Sequence, residues 1–262
     1  IDIGYRARHL PPYFGRVGEN KWTIGRDVAA AAAAAGLKAD IAVGNAGTLL
    51  GDAWLDFIDD SKFTLGANSG SSLLDPRGEI QRAVKRYLQE YPNATFEEVE
   101  SEIFPGLDGN PMTAISPRVL EAALLESGQI LVDGDYSGIV LPWEHYIPIR
   151  PDASNVHDVF SAMSDVEAVQ GMIARCREAI LSVDELRYRN KSAKIIELIG
   201  NLKTRKNVVS KHEDVEALIN RYHAEIAGRL SRRWKWQRLK RKATTALSRY
   251  PALLNTIRRL KS

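Results

Sequence analysis

Ser116-Pro117-Arg118-Val119-Leu120-Glu121-Ala122, followed by Gln129-Ile130-Leu131-Val132 and then Asp133-Gly134-Asp135-Tyr136-Ser137-Gly138, is the stretch whose reading decides the fold. Ser116 is an N-cap residue type and Pro117 suits the first helical position, so a helix is predicted over 117–126. Residues 129–132, apolar at 130–132 and bounded by turn residues, have the pattern of a strand buried on both faces. A helix, a buried strand and a glycine-containing loop in that order are one unit of a parallel sheet covered by helices.

Working outward, the same alternation runs through the first 160 residues. Strands are predicted over 1–5, 39–43, 62–66 and 145–149. Between them lie a helix from Gly18 or Glu19 through the alanines to Gly36, a good residue to follow a helix end, and a short helix over 54–58. The strand ending at Gly66 opens into Ala67-Asn68-Ser69-Gly70-Ser71-Ser72. An insert over roughly 78–109 carries a polar helix over 79–91 and a second helix begun by the capping pattern Thr95-Phe96-Glu97-Glu98. From Ser164 onward only helical spacing is evident, over 166–181, 184–199 and 213–230. Open sheets of this class bind ligands outside the carboxyl ends of their strands. The informative loops are therefore 6–21, 68–72, 112–118 and 133–138.

The chain has 262 residues, 44% hydrophobic and 26% charged, which excludes a collagenous or wholly disordered protein and suffices for one good core. No run reaches the roughly 20 apolar residues of a membrane span. A single cysteine, Cys176, allows no internal disulfide. No basic segment followed by an apolar one opens the chain, so no secretory signal is expected. The net charge of +3 hides an asymmetry: from Gly228 to Ser262 there are twelve Lys and Arg and no Asp or Glu, which leaves 24 basic against 33 acidic side chains before it. A body near −9 repels phosphate at long range, so nucleic acid is not an expected partner and any anion site must be local.

One such site is suggested by Arg6, Arg8, Arg16 and Lys21, which crowd the loop after the first strand, with Gly15 and Gly18 before the helix. Cations beside a helix N-terminus suit a diphosphate, because backbone N–H groups and basic side chains share its charge. The hydroxyls and N–H groups of Ser69, Gly70 and Ser71 fall at the same sheet edge, where a plain tight turn would use the same residues. Glu121, in the second turn of a helix that begins with Ser116 and Arg118, is placed to accept hydrogen bonds from a ribose diol; a solvated Glu on a capped helix reads the same way. His145 and Asp135 form a candidate proton-transfer pair, although a hydrogen-bonded structural histidine is the more common use of such a residue. The five histidines lack ligand spacing and there is no cysteine pair, so no metal is expected.

Together, 116–122, 129–132 and 134–138 resemble the carboxyl-terminal, nucleotide-sugar-binding half of bacterial GT-B glycosyltransferases, of the group 1 type that acts in surface-polysaccharide pathways. Gly15-Arg16-Val17, Lys21 and the 68–72 loop extend the likeness over residues 2–160. The resemblance implies a Rossmann-like open parallel sheet, one half of a GT-B fold. It implies transfer of a sugar from a nucleotide-sugar donor to a bacterial surface glycan or lipid-linked acceptor, without cofactor or metal. In this likeness Glu121 binds the donor ribose, Arg16 and Lys21 are the basic pair near the diphosphate, and Arg6 and Arg8 are helpers. Ser116 and Arg118 line the donor side, while Asp135, Tyr136, Ser137 and Gly138 approach the sugar or the interdomain cleft. Many retaining members carry a second Glu eight residues before the first; here that position is Thr113. The acceptor site and catalytic base belong, in the family, to an amino-terminal domain, so the catalytic residues are expected upstream of Ile1.

The expected organisation is a Rossmann-like domain over 1–163, a helical region over 164–228 and a basic amphipathic tail over 229–262. The tail interleaves cations with apolar residues, most densely at Arg232-Arg233-Trp234-Lys235-Trp236, which suits an anionic bilayer surface with indoles at the interface. A cytoplasmic protein held peripherally on the inner face of the cytoplasmic membrane is the resulting expectation. The alternative is a non-catalytic adaptor whose degenerate sugar-nucleotide fold docks to a membrane or partner through the tail.

Overall fold

Residues 1–44, 47–204, 221 and 224 are described by the structure, a computed structural model. The strands of its main sheet are β1 (Ile3–Ala7), β2 (Ala39–Val43), β3 (Phe63–Gly66), β6 (Gly128–Val132) and β7 (Ile147–Ile149), all parallel and in the order β2-β1-β3-β6-β7. A second, antiparallel pair is formed by β4 (Ser69–Ser71) and β5 (Met112–Ala114). Counting only the main sheet, the strand order is 2-1-3-4-5, a doubly wound arrangement whose connections reverse direction between β1 and β3. This is a Rossmann-like open sheet followed by helices.

The helices are α1 (Gly15–Ala34), α2 (Asp52–Asp59), α3 (Glu79–Glu90), α4 (Phe96–Ile103), α5 (Pro117–Leu124), α6 (Val156–Met163), α7 (Val166–Ser182) and α8 (Tyr188–Thr204). One compact unit, Ile1–Lys194, holds the sheet and both α6 and α7; the other is Ile195–Ser262. The long α1 stops where expected: Gly36 takes a φ of +72°, and the N–H groups of Gly36 and Leu37 bond back to the carbonyls of Ala33 and Ala32. A residue with a Cβ would resist that left-handed conformation. The capping pattern at α4 also closes as read, with Glu98 N–H donating to Thr95 Oγ1 and Thr95 N–H donating to the Glu98 carboxylate.

Side-chain alternation divides the core between the two faces of the sheet. Along β6, Ile130 and Val132 join one apolar cluster with Ile24 and Val28 of α1 and Val159 of α6. Leu131, between them, joins the other cluster, with Val119 and Ala123 of α5 and Cys176 and Ile180 of α7. Each such buried Ile or Leu contributes roughly 1.5–3 kcal/mol of transfer free energy. The insert has a separate apolar centre, built from Leu73, Val84, Phe96, Val99 and Phe104.

Several local expectations are corrected by the structure. The first strand runs Ile3–Ala7, not 1–5, so Arg6 is a strand residue in register with Ala42 and not part of a loop. α1 begins at Gly15, which places Arg16 in its first turn. Residues 69–71 form β4, paired with β5, so they are neither a free loop nor a plain tight turn. Gly70 is needed there because its φ of +135° brings its Cα against the Met112 carbonyl, a space that any Cβ would invade. Ser116 does stand at the N-cap of α5, yet its hydroxyl makes no capping bond; Pro117, which has no N–H, supplies the start.

Candidate anion-binding pocket

At the carboxyl ends of β1 and β3, where the direction of winding reverses, the chain surrounds a cavity of about 350 Å³. Its wall is made by Tyr5, Arg6, Ala7 and Arg8 from β1 and the turn after it, Gly44 and Gly47 after β2, and Ala67 and Ser69 after β3. Lys21 of α1, Trp54 of α2, and Ser116 and Arg118 at the start of α5 also line it, with Leu10, Thr48 and Leu49. Four of the lining side chains are basic and, among the described residues, none is acidic. In a body with nine more carboxylates than cations, that segregation is the main electrostatic feature of the site.

The four cations differ in how far they are already satisfied. Arg6 donates from Nη2 to the Asp40 carboxylate at 2.8 Å and from Nη1 to the Asp40 carbonyl at 2.8 Å, and lies over the Phe57 ring at 4.1 Å. Arg118 donates from Nη1 to the Arg6 carbonyl at 2.7 Å and lies near two ring faces, with its guanidinium carbon 5.4 Å from the Tyr5 centroid and 5.5 Å from that of Trp54. Among the described residues it has no carboxylate partner. Arg8 is exposed, also without an ion pair among the described residues. Lys21 has neither a hydrogen bond nor an ion pair for its Nζ among the described residues, while its carbonyl accepts the Tyr5 hydroxyl at 3.0 Å. Burial, and secondarily the Arg118 guanidinium, hold the Lys21 ammonium below the ordinary lysine range. Burial also pushes the Tyr5 phenol up to about 12, so it stays neutral beside these cations. Arg6 has its counter-charge in Asp40, but Lys21 and Arg118 repel each other without one among the described residues, an arrangement that an entering anion stabilises.

The other expected site residues stand elsewhere. Arg16 donates to Glu97 at 2.9 Å and to Glu100 at 2.5 Å, and covers the Phe96 ring at 4.2 Å. Its backbone N–H donates to Asp108 at 2.6 Å, so it fastens the insert onto α1 and does not line the pocket. Glu121 accepts the Trp54 indole N–H at 2.6 Å. It therefore stands beside the pocket wall, coupled to it through Trp54. Ser71 turns its hydroxyl to the backbone of Leu73, and Thr113, exposed on β5, pairs with Gly70.

In the loop after β6, Asp135 accepts the Gly138 N–H at 3.0 Å, and Ser137 and Gly138 are exposed. Tyr136 is a core residue: its side chain is fully buried, its hydroxyl donates to the Val132 carbonyl at 2.6 Å, and its ring meets Tyr146 edge-on. His145 is buried, accepts the Leu141 N–H at 2.9 Å through Nδ1 and faces Glu144, not Asp135. Cys176 is buried and accepts from Gln129, with its thiol pushed up to about 11 by burial.

Reading the sequence missed Trp54, whose indole forms one wall and carries the link to Glu121. A tryptophan at the start of the helix after the second strand was the available signal, since that strand's carboxyl end borders the site. It also missed His9, stacked on Trp22 at 4.5 Å with Nε2 3.3 Å from the buried carboxylate of Glu19.

Among the described residues, no group of three or more His, Cys, Asp or Glu could hold a metal ion, and no helix is long and apolar enough to cross a membrane. Arg232, Arg233, Trp234, Lys235 and Trp236 lie outside the described residues. Comparison with protein-family models, curated proteins and solved structures returns no match.

Proposed function

We propose that this chain is the donor-binding half of a GT-B glycosyltransferase that transfers a sugar from a nucleotide-sugar to a bacterial surface glycan or lipid-linked acceptor. The observation that carries the reading is the pocket at the switch point of the sheet, lined by Arg6, Arg8, Lys21 and Arg118 and by no carboxylate among the described residues. As the sugar departs, charge develops on the nucleoside diphosphate; pre-placed cations at that position stabilise it without a metal. Arg8, Lys21 and Arg118 are the three free to do so, with Ser69 and Ser116 supplying hydroxyls. Trp54 and Glu121 offer a flat face and a carboxylate for the nucleoside. In this reading the acceptor site and the catalytic base belong to a facing domain, and the 229–262 tail holds the protein at the inner face of the cytoplasmic membrane.

Calorimetric titration of the full chain with UDP, GDP and dTDP tests the donor site, with Arg118→Gln and Glu121→Ala alongside. Binding of one nucleotide that both substitutions weaken is the expected result. No binding, or binding indifferent to Arg118, rejects the assignment. A second reading, a docking adaptor with a degenerate pocket, is favoured by one observation: Arg6 and Arg16 are occupied by Asp40, Glu97 and Glu100. Liposome sedimentation with and without residues 229–262 at low salt tests the tail in either reading, and equal pelleting counts against membrane attachment.

A further inference from the structure

We infer that Lys21 is a site of acylation by acyl phosphates, with the cationic wall around it acting as the receptor for the phosphate group. The inference rests on the reading of this cavity as a phosphate site and adds to it a covalent chemistry and a means of regulation.

Four observations lead to it. Lys21 lines the cavity and is only partly buried. Its Nζ has no carboxylate or carbonyl to hold it among the described residues, unlike the Lys62 ammonium, which is 2.7 Å from the Asp2 carboxylate. Arg8 and Arg118, each without a carboxylate partner among the described residues, share the same wall. Finally, burial and Arg118 together favour the neutral amine. Only the neutral amine is a nucleophile, and lysines are activated by desolvation or by a neighbouring cation.

In the step itself, the deprotonated Nζ attacks the acyl carbon and forms the C–N bond. The bond between that carbon and the bridging phosphate oxygen breaks, and the electron pair leaves with inorganic phosphate. The nitrogen then gives its proton to water, leaving a neutral amide. The arginines contribute by holding the phosphate while the acyl carbon lies within reach of Nζ, so the reaction gains from proximity as well as from leaving-group stabilisation. The product lacks one of the pocket's cations and fills part of its volume. Acylated protein therefore binds diphosphates less well, which links donor binding to the supply of activated acyl groups.

The test uses the full chain with acetyl phosphate and, in parallel, N-hydroxysuccinimidyl acetate, which acylates amines but carries no phosphate. Peptide mass spectrometry reads the ratio of acetylation at Lys21 to that at Lys85, an exposed lysine on α3. The expected ratio is about tenfold higher with acetyl phosphate, reflecting proximity at a bound phosphate. Excess inorganic pyrophosphate, or the exposed-loop substitution Arg8→Gln, returns it to the value set by the phosphate-free reagent. Equal ratios with both reagents, or no response to pyrophosphate, overturn the inference. UDP titration of the same preparation separates it from the donor-site reading. Selective acetylation without UDP binding removes the nucleotide reading alone, and UDP binding with a flat ratio removes the acylation inference alone.

Discussion

Arg118 and Arg16 occupy the same helical position, second residue of α5 and second residue of α1, yet they meet opposite fates. Arg118 faces a cavity with Lys21 and Arg8, between the rings of Tyr5 and Trp54, and no carboxylate closes on it among the described residues. Arg16 is met by Glu97 and Glu100 from α4 and covers Phe96, so its charge is used to fasten the insert. A basic residue at a helix start is thus an anion site only where the surrounding fold leaves it without a carboxylate. The insert clasp is therefore built for stability, while the cavity wall is held short of its electrostatic optimum.

The largest effect expected from breaking this division lies in the insert. Phe104 is fully buried in the insert's apolar centre, so Phe104→Ala costs about 3–5 kcal/mol locally. Hydrogen exchange is expected to show α3 and α4 losing protection while pyrophosphate affinity, measured by calorimetry, is retained. Loss of both together would mean that the insert shapes the pocket.

Next come Lys21→Met and Arg118→Gln, each removing one cation from the wall of the proposed phosphate site. Hydrogen bonds of this kind contribute about 1.5–3 kcal/mol, so each substitution weakens diphosphate binding roughly 10- to 100-fold. Lys21→Met carries a second consequence. Because the folded-state pKa of Lys21 is depressed, the unfolded chain binds the proton more tightly. The resulting destabilisation is fully present below the folded pKa and is relieved as pH rises toward the unfolded value of 10.5. The ligand-free methionine variant therefore melts at a higher temperature than the parent at neutral pH, and the difference narrows as pH approaches 10.5. A lower melting temperature would mean that Lys21 has a structural role in place of a binding one.

A smaller effect is expected at the clasp. Arg16→Gln removes a partly exposed ion-pair network and a cation–π contact, together about 1 kcal/mol, with no change in diphosphate affinity. The hydrogen bond from Arg16 holds the Glu97 carboxyl below 4.5. Its contribution is present above 4.5 and is lost as pH falls through the lowered folded value. Urea unfolding midpoints followed below pH 5 should therefore drop less steeply in the variant than in the parent. The smallest effect belongs to Ser71→Ala, where a hydroxyl turned toward Leu73 is removed: within about 0.5 kcal/mol in stability and no change in binding.

Much of the architecture could be read before the structure. The largely apolar runs at 63–65 and 130–132 encode buried parallel strands, because strands covered on both faces are mostly apolar, whereas the edge strand over 39–43 keeps Asp40 and buries no residue fully. The alanine-rich helix ending at Gly36 and the box at Thr95 and Glu98 depend only on neighbours a few residues away, so they formed as read. The site was legible in part: Arg6, Arg8, Lys21, Ser69, Ser116 and Arg118 do line one cavity. Arg16 was not distinguishable from them, because its glutamates lie more than eighty residues along the chain. Neither was Trp54, whose importance comes from a hydrogen bond to Glu121 across the pocket wall.

By itself, then, the sequence determined the class of fold, the insert, the stop of α1 at Gly36, the cap of α4 and the separation of an acidic body from a basic tail. Periodicity, capping and net charge are properties of local residue order, and local order is all that they require. Only the tertiary structure decided which cations remain unneutralised. Whether a charge stays available for a ligand depends on what the folded chain sets against it, and for Arg16, Arg118 and Lys21 the decisive neighbours come from distant parts of the sequence.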